Sequence, residues 1–415
     1  GGNSLSGTIE CSGSKNASLP ILALSILTSN LEIKNIPNLA DVKSMLNLLN
    51  SLGVHHSYVN KNNKSNILLE NSNKISSLAE YDLVRKMRAS ILVLGPLLTR
   101  NGFARVSLPG GCAIGLRPVD LHIFAMKKLG ADIELIDGYV IAKAIKGKLI
   151  GNKIIFPQVS VGATENAIMA AIFARGETLI ENAAREPEVQ DLCNCLISMG
   201  VKIDGVGSST IYIEGVNSLN KVSYNVISDR IEACSFIIAA AITKSNLVIK
   251  NINLDHIQSF LIVMKSMGLK FKAQEKSIEV FESGDLNPID LKTSAYPGFP
   301  TDMQAQIVTL ACFSNGDSEV KENIFENRFM HVAELRRLGA KITIKKNKAI
   351  IEGKTKFEGA ELMSSDLRAS VALVLAAIVA KGKSIINRIY HLDRGYEQLE
   401  IKLKKIGVKI KRLKQ

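Results

Sequence analysis

Six residues, Leu338-Gly339-Ala340-Lys341-Ile342-Thr343, mark the junction between a helix and a strand. The segment before Gly339 has the spacing of an amphipathic helix, and glycine readily adopts the left-handed backbone that ends one. The residues after it alternate between apolar and polar side chains, which is the periodicity of a strand with one wet face. The stretch therefore predicts a helix that ends at Gly339 and a strand that follows at once.

The same junction occurs six times along the 415-residue chain. The other five copies are Leu52-Gly53-Val54, Leu129-Gly130-Ala131, Met199-Gly200-Val201, Met267-Gly268-Leu269 and Ile406-Gly407-Val408. The glycines at 53, 130, 200, 268, 339 and 407 are therefore 77, 70, 68, 71 and 68 residues apart. Matching the first three glycines to the last three gives shifts of 215, 209 and 207 residues. Self-similarity of this kind predicts two similar halves of three units each, with a boundary near residue 227.

Each unit also contains a second helix that is apolar or small on nearly every face. These segments are Ala17–Leu27, Ala89–Leu98, Ala167–Ala174, Cys234–Ile242, Gln306–Phe313 and Ala369–Ala380. A helix that is hydrophobic all round must be buried. Strands such as Ile211–Glu214 and Ala349–Glu352 alternate instead, so they have one exposed face. The sequence therefore predicts an α/β fold of two similar inside-out domains, each of three repeated units with buried helices and outer sheets.

Polar residues stand at the start of these buried helices. They are Lys15 and Asn16, Arg85 and Arg88, Thr164 to Asn166, Asp229 with Arg230 and Glu232, Asp302 with Gln304, and Asp366 with Arg368. Ser14, Ser228 and Thr301 are expected to be N-caps. Lys and Arg have the wrong sign for a helix N-terminus, where the macrodipole favours anions. Recurrent cations there predict a polyanionic substrate held between them.

The composition excludes several classes of protein. No apolar run reaches the roughly 18 residues of a membrane span, and no Cys/His cluster has zinc-like spacing, so neither membrane insertion nor a metal site is expected. The six cysteines are expected to be reduced thiols of a cytoplasmic protein. A start at Gly-Gly without Met raises the hypothesis that N-terminal residues are missing. The net charge of +13 raises the possibility of nucleic-acid binding, but the lysines are spread along the chain and no Trp offers a stacking platform.

The loop at residues 107–122 contains one thiol, Cys112, and one cation, Arg117, next to Pro118. Its three glycines and two prolines exclude a regular helix or central strand. On its own, Cys112 is either a small buried hydrophobe or a reactive thiol. The glycines also raise the hypothesis that the loop is a hinged lid.

Phosphate binding must come from side-chain cations and helix N-termini, because the chain has neither a P-loop nor a dinucleotide fingerprint. The cations considered are Lys15, Arg88, Arg117, Arg328, Arg368 and Arg394. Asp302 is the best carboxylate for a general base, and the alternative is a first-turn acid that only complements the helix dipole.

Ten motifs along the whole chain resemble those of the enolpyruvyl transferase family, and within it the UDP-N-acetylglucosamine 1-carboxyvinyltransferases. They are Gly-Ser-Lys-Asn-Ala (13–17), Lys-Met-Arg-Ala-Ser (86–90), Leu-Pro-Gly-Gly-Cys (108–112), Arg-Pro-Val-Asp-Leu-His (117–122), Ser-Val-Gly-Ala-Thr-Glu-Asn (160–166), Glu-Asn-Ala-Ala-Arg-Glu-Pro-Glu (181–188), Phe-Pro-Thr-Asp-Met-Gln-Ala-Gln (299–306), Phe-Glu-Asn-Arg-Phe-Met-His (325–331), Asp-Leu-Arg-Ala (366–369) and Asp-Arg-Gly-Tyr-Glu (393–397). The resemblance implies a first domain at 15–227, which carries the Cys112 loop, and a second domain at 1–14 plus 228–415. It also implies an active site in the cleft between them.

The resemblance implies a reaction as well. The enolpyruvyl group of phosphoenolpyruvate is transferred to the 3′-hydroxyl of UDP-N-acetylglucosamine, through a tetrahedral ketal and with release of phosphate. The family needs no metal or organic cofactor, acts in the cytoplasm, and opens peptidoglycan synthesis for the cell wall. Its loop cysteine is the target of fosfomycin and forms an adduct with phosphoenolpyruvate.

By the same resemblance, Cys112, Asp302, Lys15 and Arg394 are expected to be catalytic. The phosphoenolpyruvate site is expected to contain Lys15, Asn16, Arg117, Arg328, Arg368 and Arg394. The nucleotide-sugar site is expected to contain Arg88, Arg117, Pro118, Val119, Asp120, Leu121, Gln158, Val159, Ser160, Val161, Asp302 and Ile324. Gln158 departs from the pattern, because some members have a lysine there near the diphosphate.

Two alternatives stay open. One is the sister enzyme of the same fold that acts on shikimate 3-phosphate, although the Pro-Gly-Gly-Cys and Arg-Pro-Val-Asp-Leu motifs argue against it. The other is a non-catalytic nucleic-acid or anion-binding protein, which the positive charge favours.

Overall fold

The computed structural model describes residues 4–60, 63–71, 74–109 and 119–413. The helices are α1 (Lys15–Leu24), α2 (Ala40–Leu52), α3 (Tyr81–Val84), α4 (Leu94–Asn101), α5 (Asp120–Lys128), α6 (Val161–Ala171), α7 (Pro187–Ser198), α8 (Arg230–Ile242), α9 (Gln258–Ser266), α10 (Gln304–Ala311), α11 (His331–Arg337), α12 (Leu367–Val379) and α13 (Leu399–Lys405). Short 3₁₀ helices span Arg88–Val93, Leu254–Ile257, Thr301–Met303 and Ile389–Arg394.

The strands, also in chain order, are short. They are β1 (Ser6–Glu10), β2 (Asn30–Lys34), β3 (Val54–Asn60), β4 (Asn63–Asn71), β5 (Leu78–Ala79), β6 (Phe103–Ser107), β7 (Ala131–Ile136), β8 (Tyr139–Ala144), β9 (Lys153–Ile155), β10 (Glu177–Glu181), β11 (Lys202–Asp204), β12 (Thr210–Glu214), β13 (Val222–Asn225), β14 (Asn246–Lys250), β15 (Lys270–Gln274), β16 (Ser277–Phe281), β17 (Asp290–Lys292), β18 (Ser318–Lys321), β19 (Ile342–Lys345), β20 (Lys348–Ile351), β21 (Glu361–Met363) and β22 (Ile385–Asn387).

These elements form two compact units, each with its own hydrophobic core. The first unit contains residues 13–109 and 119–227, and the second contains residues 4–12 and 228–413.

The first unit carries three four-stranded sheets of one design, with strand orders β13-β2-β4-β3, β5-β6-β8-β7 and β9-β10-β12-β11. In each sheet the first strand runs parallel to the second, and the remaining neighbours are antiparallel. Strand β13 lies at the end of the unit and pairs with β2 near its start. The third repeat is therefore joined to the first.

The second unit repeats this design in the sheets β1-β14-β16-β15 and β17-β18-β20-β19. Strand β1, from the start of the chain, pairs in parallel with β14. It thus fills in this unit the place that β13 fills in the first.

The third sheet of the second unit is reduced to the parallel pair β21-β22. Residues 408–413 form no strand, so the prediction of a strand after the sixth glycine is wrong. Alternation alone is insufficient, because a strand also needs a neighbouring backbone to bond to. Ion pairs hold this segment instead: Arg412 Nη1 lies 3.0 Å from Asp393 Oδ2, and its Nε lies 2.8 Å from Glu400 Oε1.

The six repeated glycines all have left-handed backbone, as predicted. Their φ angles are 100°, 86°, 95°, 92°, 105° and 101° in chain order. Because only glycine adopts this conformation without steric cost, these positions end the amphipathic helices.

The second helix of each repeat is buried, which confirms the inside-out arrangement. Every residue of α8 is buried, and α8, α10 and α12 pack against one another. Helices α1, α4 and α6 are the corresponding helices of the first unit. Burial alternates along strands such as β12 and β14, so the sheets have one wet face. No helix among the described residues is long and apolar enough to cross a membrane.

One of the three predicted N-caps is confirmed and two are wrong. Ser14 caps α1 by accepting a hydrogen bond from the amide of Ala17. Asp229 rather than Ser228 caps α8, because its carboxylate accepts two amide hydrogen bonds at 2.9 and 3.0 Å. Thr301 lies inside a 3₁₀ turn that begins after Pro300, and its hydroxyl bonds Glu322 instead.

Candidate functional site

Asp302 lies between two arginines of the second unit. Its Oδ1 accepts a hydrogen bond from Arg328 Nη2 at 2.9 Å, and its Oδ2 accepts one from Arg368 Nη2 at 2.7 Å. The arginine side chains are 4% and 5% exposed, whereas the Asp302 side chain is 27% exposed. Asp302 is therefore the counter-ion of two buried guanidinium groups, which a residue that only complements a helix dipole would not be.

The two arginines reach Asp302 from different elements. Arg368 is the second residue of α12, whose N-terminus is capped by Asp366. Burial acts to lower the pKa of Arg368, but the charge of Asp302 and further contributions, including that of Asp229, outweigh it and raise that pKa. Arg328 precedes α11, and its Nε has no hydrogen-bond partner among the described residues. Both side chains thus hold positive charge in a largely enclosed place.

A buried hydroxyl pair lies behind Arg368. The Tyr396 hydroxyl is 2.8 Å from Ser235 Oγ, and Ser235 donates its own proton to the carbonyl of Ile231. Tyr396 is therefore the donor of this pair, which leaves its oxygen lone pairs available to the guanidinium of Arg368. The sequence analysis missed Tyr396 and Ser235 as supporting residues, although Tyr396 stands two residues after Arg394 in one of the quoted motifs.

Arg394 ends the 3₁₀ helix at Ile389–Arg394 and is half-buried. Burial lowers the pKa of His391, and the positive charge of Arg394 lowers it further. Ile324, whose backbone was expected to bind the nucleotide sugar, donates its amide hydrogen to Glu322 Oε1 at 2.7 Å. Its side chain is exposed.

An ion network fixes the start of the second unit. Lys402 Nζ lies 2.6 Å from Glu232 Oε1 and 2.8 Å from Ser12 Oγ. The amide of Ser12 donates to Glu232 Oε2 at 2.7 Å, and its hydroxyl donates to Glu397 Oε2 at 2.8 Å. The segment that leads into Lys15 is therefore anchored three residues upstream.

Lys15 and Asn16 are the first two residues of α1 in the first unit, and both are half-buried. Lys15 Nζ lies 3.6 Å from Asp41 Oδ2. A basic residue stands in the first turn at four of the six buried helices, counting the 3₁₀ turn before α4; these residues are Lys15, Arg88, Arg230 and Arg368. Helices α6 and α10 have none, so the predicted recurrence of cations at the starts of the buried helices holds for four of the six.

Arg88 lies close to His122 in the same unit. Burial, together with the charge of Arg88, lowers the pKa of His122 to about 4. Asn166 donates to the Nδ1 atom of His122 at 3.0 Å and to the carbonyl of Ile91 at 2.9 Å. The neutral imidazole therefore carries its proton on Nε2. This hydrogen-bond set joins three segments around the predicted nucleotide-sugar residues.

Two predicted nucleotide-sugar stretches lead into helices of the first unit. Val119 precedes α5, whose first two residues are Asp120 and Leu121. Gln158, Val159 and Ser160 precede α6, which begins at Val161. Ser160 caps α6, and Gln158 and Val159 are exposed. Helix N-termini of this kind present amide hydrogens that suit phosphate oxygens.

Cys112, Arg117 and Pro118 lie outside the described residues. The cysteines within the described ranges are all buried free thiols. The same ranges contain no group of three His, Cys, Asp or Glu side chains placed to hold a metal ion.

Comparison with known proteins gives one family. The model of the EPSP synthase (3-phosphoshikimate 1-carboxyvinyltransferase) family matches residues 1–403. A UDP-N-acetylglucosamine 1-carboxyvinyltransferase of Pelagibacter ubique (strain HTCC1062) is 54% identical over 414 residues, which is 100% of this chain and 98% of the relative. One of Rickettsia canadensis (strain McKiel) is 52% identical over 413 residues, with the same coverage.

Two solved structures share the fold. The enolpyruvyl transferase NikO from Streptomyces tendae aligns with a TM-score of 0.88 at 23% identity, over 99% of this chain and 97% of that chain. EPSP synthase from Acinetobacter baumannii aligns with a TM-score of 0.77 at 17% identity, over 98% and 97%. At these identities the likeness supports the fold alone.

Proposed function

The chain belongs to the UDP-N-acetylglucosamine 1-carboxyvinyltransferase branch of the EPSP synthase family, and we propose that it transfers the enolpyruvyl group of phosphoenolpyruvate to the 3′-hydroxyl of UDP-N-acetylglucosamine. The full-length 54% identity to an enzyme of that name carries the proposal. The buried arginines around Asp302 give it a chemical basis, because the substrates bring a carboxylate, a phosphate and a diphosphate. As in the family, the reaction opens peptidoglycan synthesis in the cytoplasm.

In the addition step, Asp302 accepts the proton of the sugar 3′-hydroxyl while that oxygen bonds to C2 of phosphoenolpyruvate. The C2–C3 double bond opens, and C3 takes a proton from the thiol of Cys112. The product of this step is a tetrahedral ketal that still carries phosphate. General acid–base help of this kind supplies about 10²–10⁴-fold in rate.

In the elimination step, C3 returns a proton to the Cys112 thiolate and the C2–C3 double bond re-forms. The proton held by Asp302 passes to the departing phosphate or to solvent. The bond between C2 and the phosphate oxygen breaks, and phosphate leaves with its electron pair. Cations stabilise the charge that develops on this leaving group. No metal or organic cofactor enters either step.

We assign the anionic contacts by position in the family motifs. Lys15 and Asn16 belong to the phosphoenolpyruvate site, and Arg117 and Arg394 hold its phosphate. Arg328 and Arg368 lie near the same substrate. Arg88, the stretches 117–121 and 158–161, Asp302 and the backbone of Ile324 contact the nucleotide sugar.

The test is to incubate the protein with phosphoenolpyruvate and UDP-N-acetylglucosamine and to identify the product by mass spectrometry. We expect the nucleotide sugar to gain one enolpyruvyl ether for each phosphate released. Shikimate 3-phosphate in place of the nucleotide sugar should give no product. Duplex DNA or RNA binding at physiological salt without turnover would support the non-catalytic alternative.

A further inference from the structure

We propose that the carboxylate of Asp302 is an internal placeholder for a substrate anion on the arginine pair, Arg328 and Arg368. An arriving anion takes over at least one guanidinium contact and frees one Asp302 oxygen. The inference rests on the proposed function, in which phosphoenolpyruvate is the anion that arrives.

The exposure of the three side chains supports the placeholder role. The arginine pair is almost fully enclosed, at 4% and 5% exposure, while the Asp302 side chain is 27% exposed. The carboxylate is therefore the most solvent-accessible member of the cluster. An anion that arrives from solution would therefore reach the guanidinium groups on the side where Asp302 now lies.

The hydrogen bonds of the arginine pair support exchange. Each guanidinium has five N–H donors, and the contacts with Asp302 use one Nη2 atom from each arginine. The Nε of Arg328 has no hydrogen-bond partner among the described residues, although this residue is only 5% exposed. Buried donors normally have a hydrogen-bond partner, so a donor without one needs an explanation. A phosphate or carboxylate oxygen of a bound anion would supply the missing acceptor.

The charges give the exchange a direction. Two guanidinium groups face one carboxylate at Asp302, so these three groups together carry one net positive charge. Phosphoenolpyruvate brings a carboxylate as well as a phosphate that carries about two negative charges at neutral pH. It therefore matches the arginine pair better than one carboxylate does.

The exchange would also couple binding to chemistry. Both oxygens of Asp302 accept charged hydrogen bonds here, which stabilise the carboxylate charge and so oppose transfer of a proton from a sugar hydroxyl. When one arginine bonds to the incoming anion instead, one Asp302 oxygen loses its guanidinium hydrogen bond. Asp302 then becomes a base only when the anion that needs it is bound.

The test measures binding of inorganic phosphate by titration calorimetry at low ionic strength, without nucleotide sugar. We expect Asp302→Asn to bind phosphate at least about tenfold more tightly than the wild type, since a neutral amide no longer competes for the arginine pair. Asp302→Glu keeps the charge and should stay within about threefold of the wild type.

A matched control separates the effect of the direct Asp302 hydrogen bonds from the effect of removing any nearby negative charge. Asp229 acts electrostatically on Arg368 and caps α8, and asparagine is an equally good cap. Asp229→Asn removes one charge near the same arginine and leaves the carboxylate of Asp302 on the arginine pair. We expect it to change phosphate affinity by less than about threefold.

Two results would overturn the proposal: phosphate affinity that is unchanged or weaker in Asp302→Asn, or an equal gain in Asp229→Asn. If Asp302→Asn is unfolded at low salt, its refolding is measured instead. Rescue by phosphate but not by chloride at equal ionic strength would support the proposal, and equal rescue would contradict it. Because phosphate binding needs no acceptor sugar, an error in the proposed acceptor would leave this result unchanged.

Discussion

Arg368 donates a 2.7 Å hydrogen bond to the carboxylate of Asp302 across 66 residues of sequence. The bond joins the start of α12 to the 3₁₀ turn before α10, so it ties two buried helices at their polar ends. The same carboxylate is the proposed base of the reaction. Asp302 therefore has two roles: its carboxylate links two buried helices, and it is the proposed base.

Replacing Asp302 by asparagine should reduce kcat by about 10²–10⁴-fold, because the amide cannot accept the hydroxyl proton. The KM for UDP-N-acetylglucosamine should stay within a few-fold, since the amide keeps its size and one acceptor. Steady-state phosphate release measures both constants. Near-normal turnover would remove Asp302 as the base.

Cys112→Ser should lose nearly all turnover and should no longer form an adduct with fosfomycin. Cys112→Asp should keep turnover, because a carboxylic acid can also deliver a proton, and should resist the drug. Intact-mass spectrometry after incubation with fosfomycin and nucleotide sugar follows the adduct. An unmodified wild-type protein would argue against the assignment of this loop.

Lys402→Met should lower the free energy of unfolding by about 3–5 kcal/mol, because it leaves buried Glu232 without its cation. Lys402→Arg should recover part of this loss. Lys404 lies exposed on the same helix, and Lys404→Met should change stability by less than about 0.5 kcal/mol. Urea unfolding measures all three variants, and equal effects at 402 and 404 would contradict the role of the network.

Gly130→Ala should destabilise the protein by about 1–2 kcal/mol through backbone strain alone. Its φ is +86°, and an added Cβ would meet no atom within 4 Å. Gly284 is the matched control, because its Cβ also meets nothing within 4 Å and its φ is not in the left-handed region. Gly284→Ala should be neutral or slightly stabilising. Equal effects in thermal unfolding would show that the left-handed φ at residue 130 is not needed.

Stability should fall as pH drops from about 6.5 to about 4, in part because of His122. Its pKa is lowered from 6.5 to about 4, so its contribution is complete above pH 6.5 and is lost as pH falls towards 4. The loss amounts to at most about 3 kcal/mol. His122→Asn keeps an acceptor for Asn166 and cannot titrate.

The measurement compares the wild type with His122→Asn in urea at pH 7, 5.5 and 4. Asp191, whose pKa burial raises to about 6, contributes in the opposite direction, but it is present in both proteins and cancels in the difference. The wild-type advantage should shrink as pH falls. A constant difference would contradict the assignment.

The repeat was predictable from sequence because its signals are local. A left-handed glycine such as Gly339 ends a helix, and a helix such as α8, which is apolar or small on nearly every face, must be buried. The missing sixth strand was not predictable, because residues 408–413 alternate well enough but lack a neighbouring strand. Whether a ladder forms depends on a partner elsewhere in the fold.

The site was predictable in its residue types but not in its pairing. Motifs single out Asp302, Arg328 and Arg368 one by one, but no local pattern indicates that one carboxylate serves both arginines. The hydroxyl pair of Ser235 and Tyr396 is 161 residues apart in sequence and gives no periodic signal. Such contacts depend on the packing of the three buried helices.

The most direct test of the central claim is phosphate release from phosphoenolpyruvate, measured in parallel with UDP-N-acetylglucosamine and with shikimate 3-phosphate as acceptor. We predict stoichiometric release with the nucleotide sugar and none above background with shikimate 3-phosphate. Release with shikimate 3-phosphate alone, or with neither acceptor, would contradict the account.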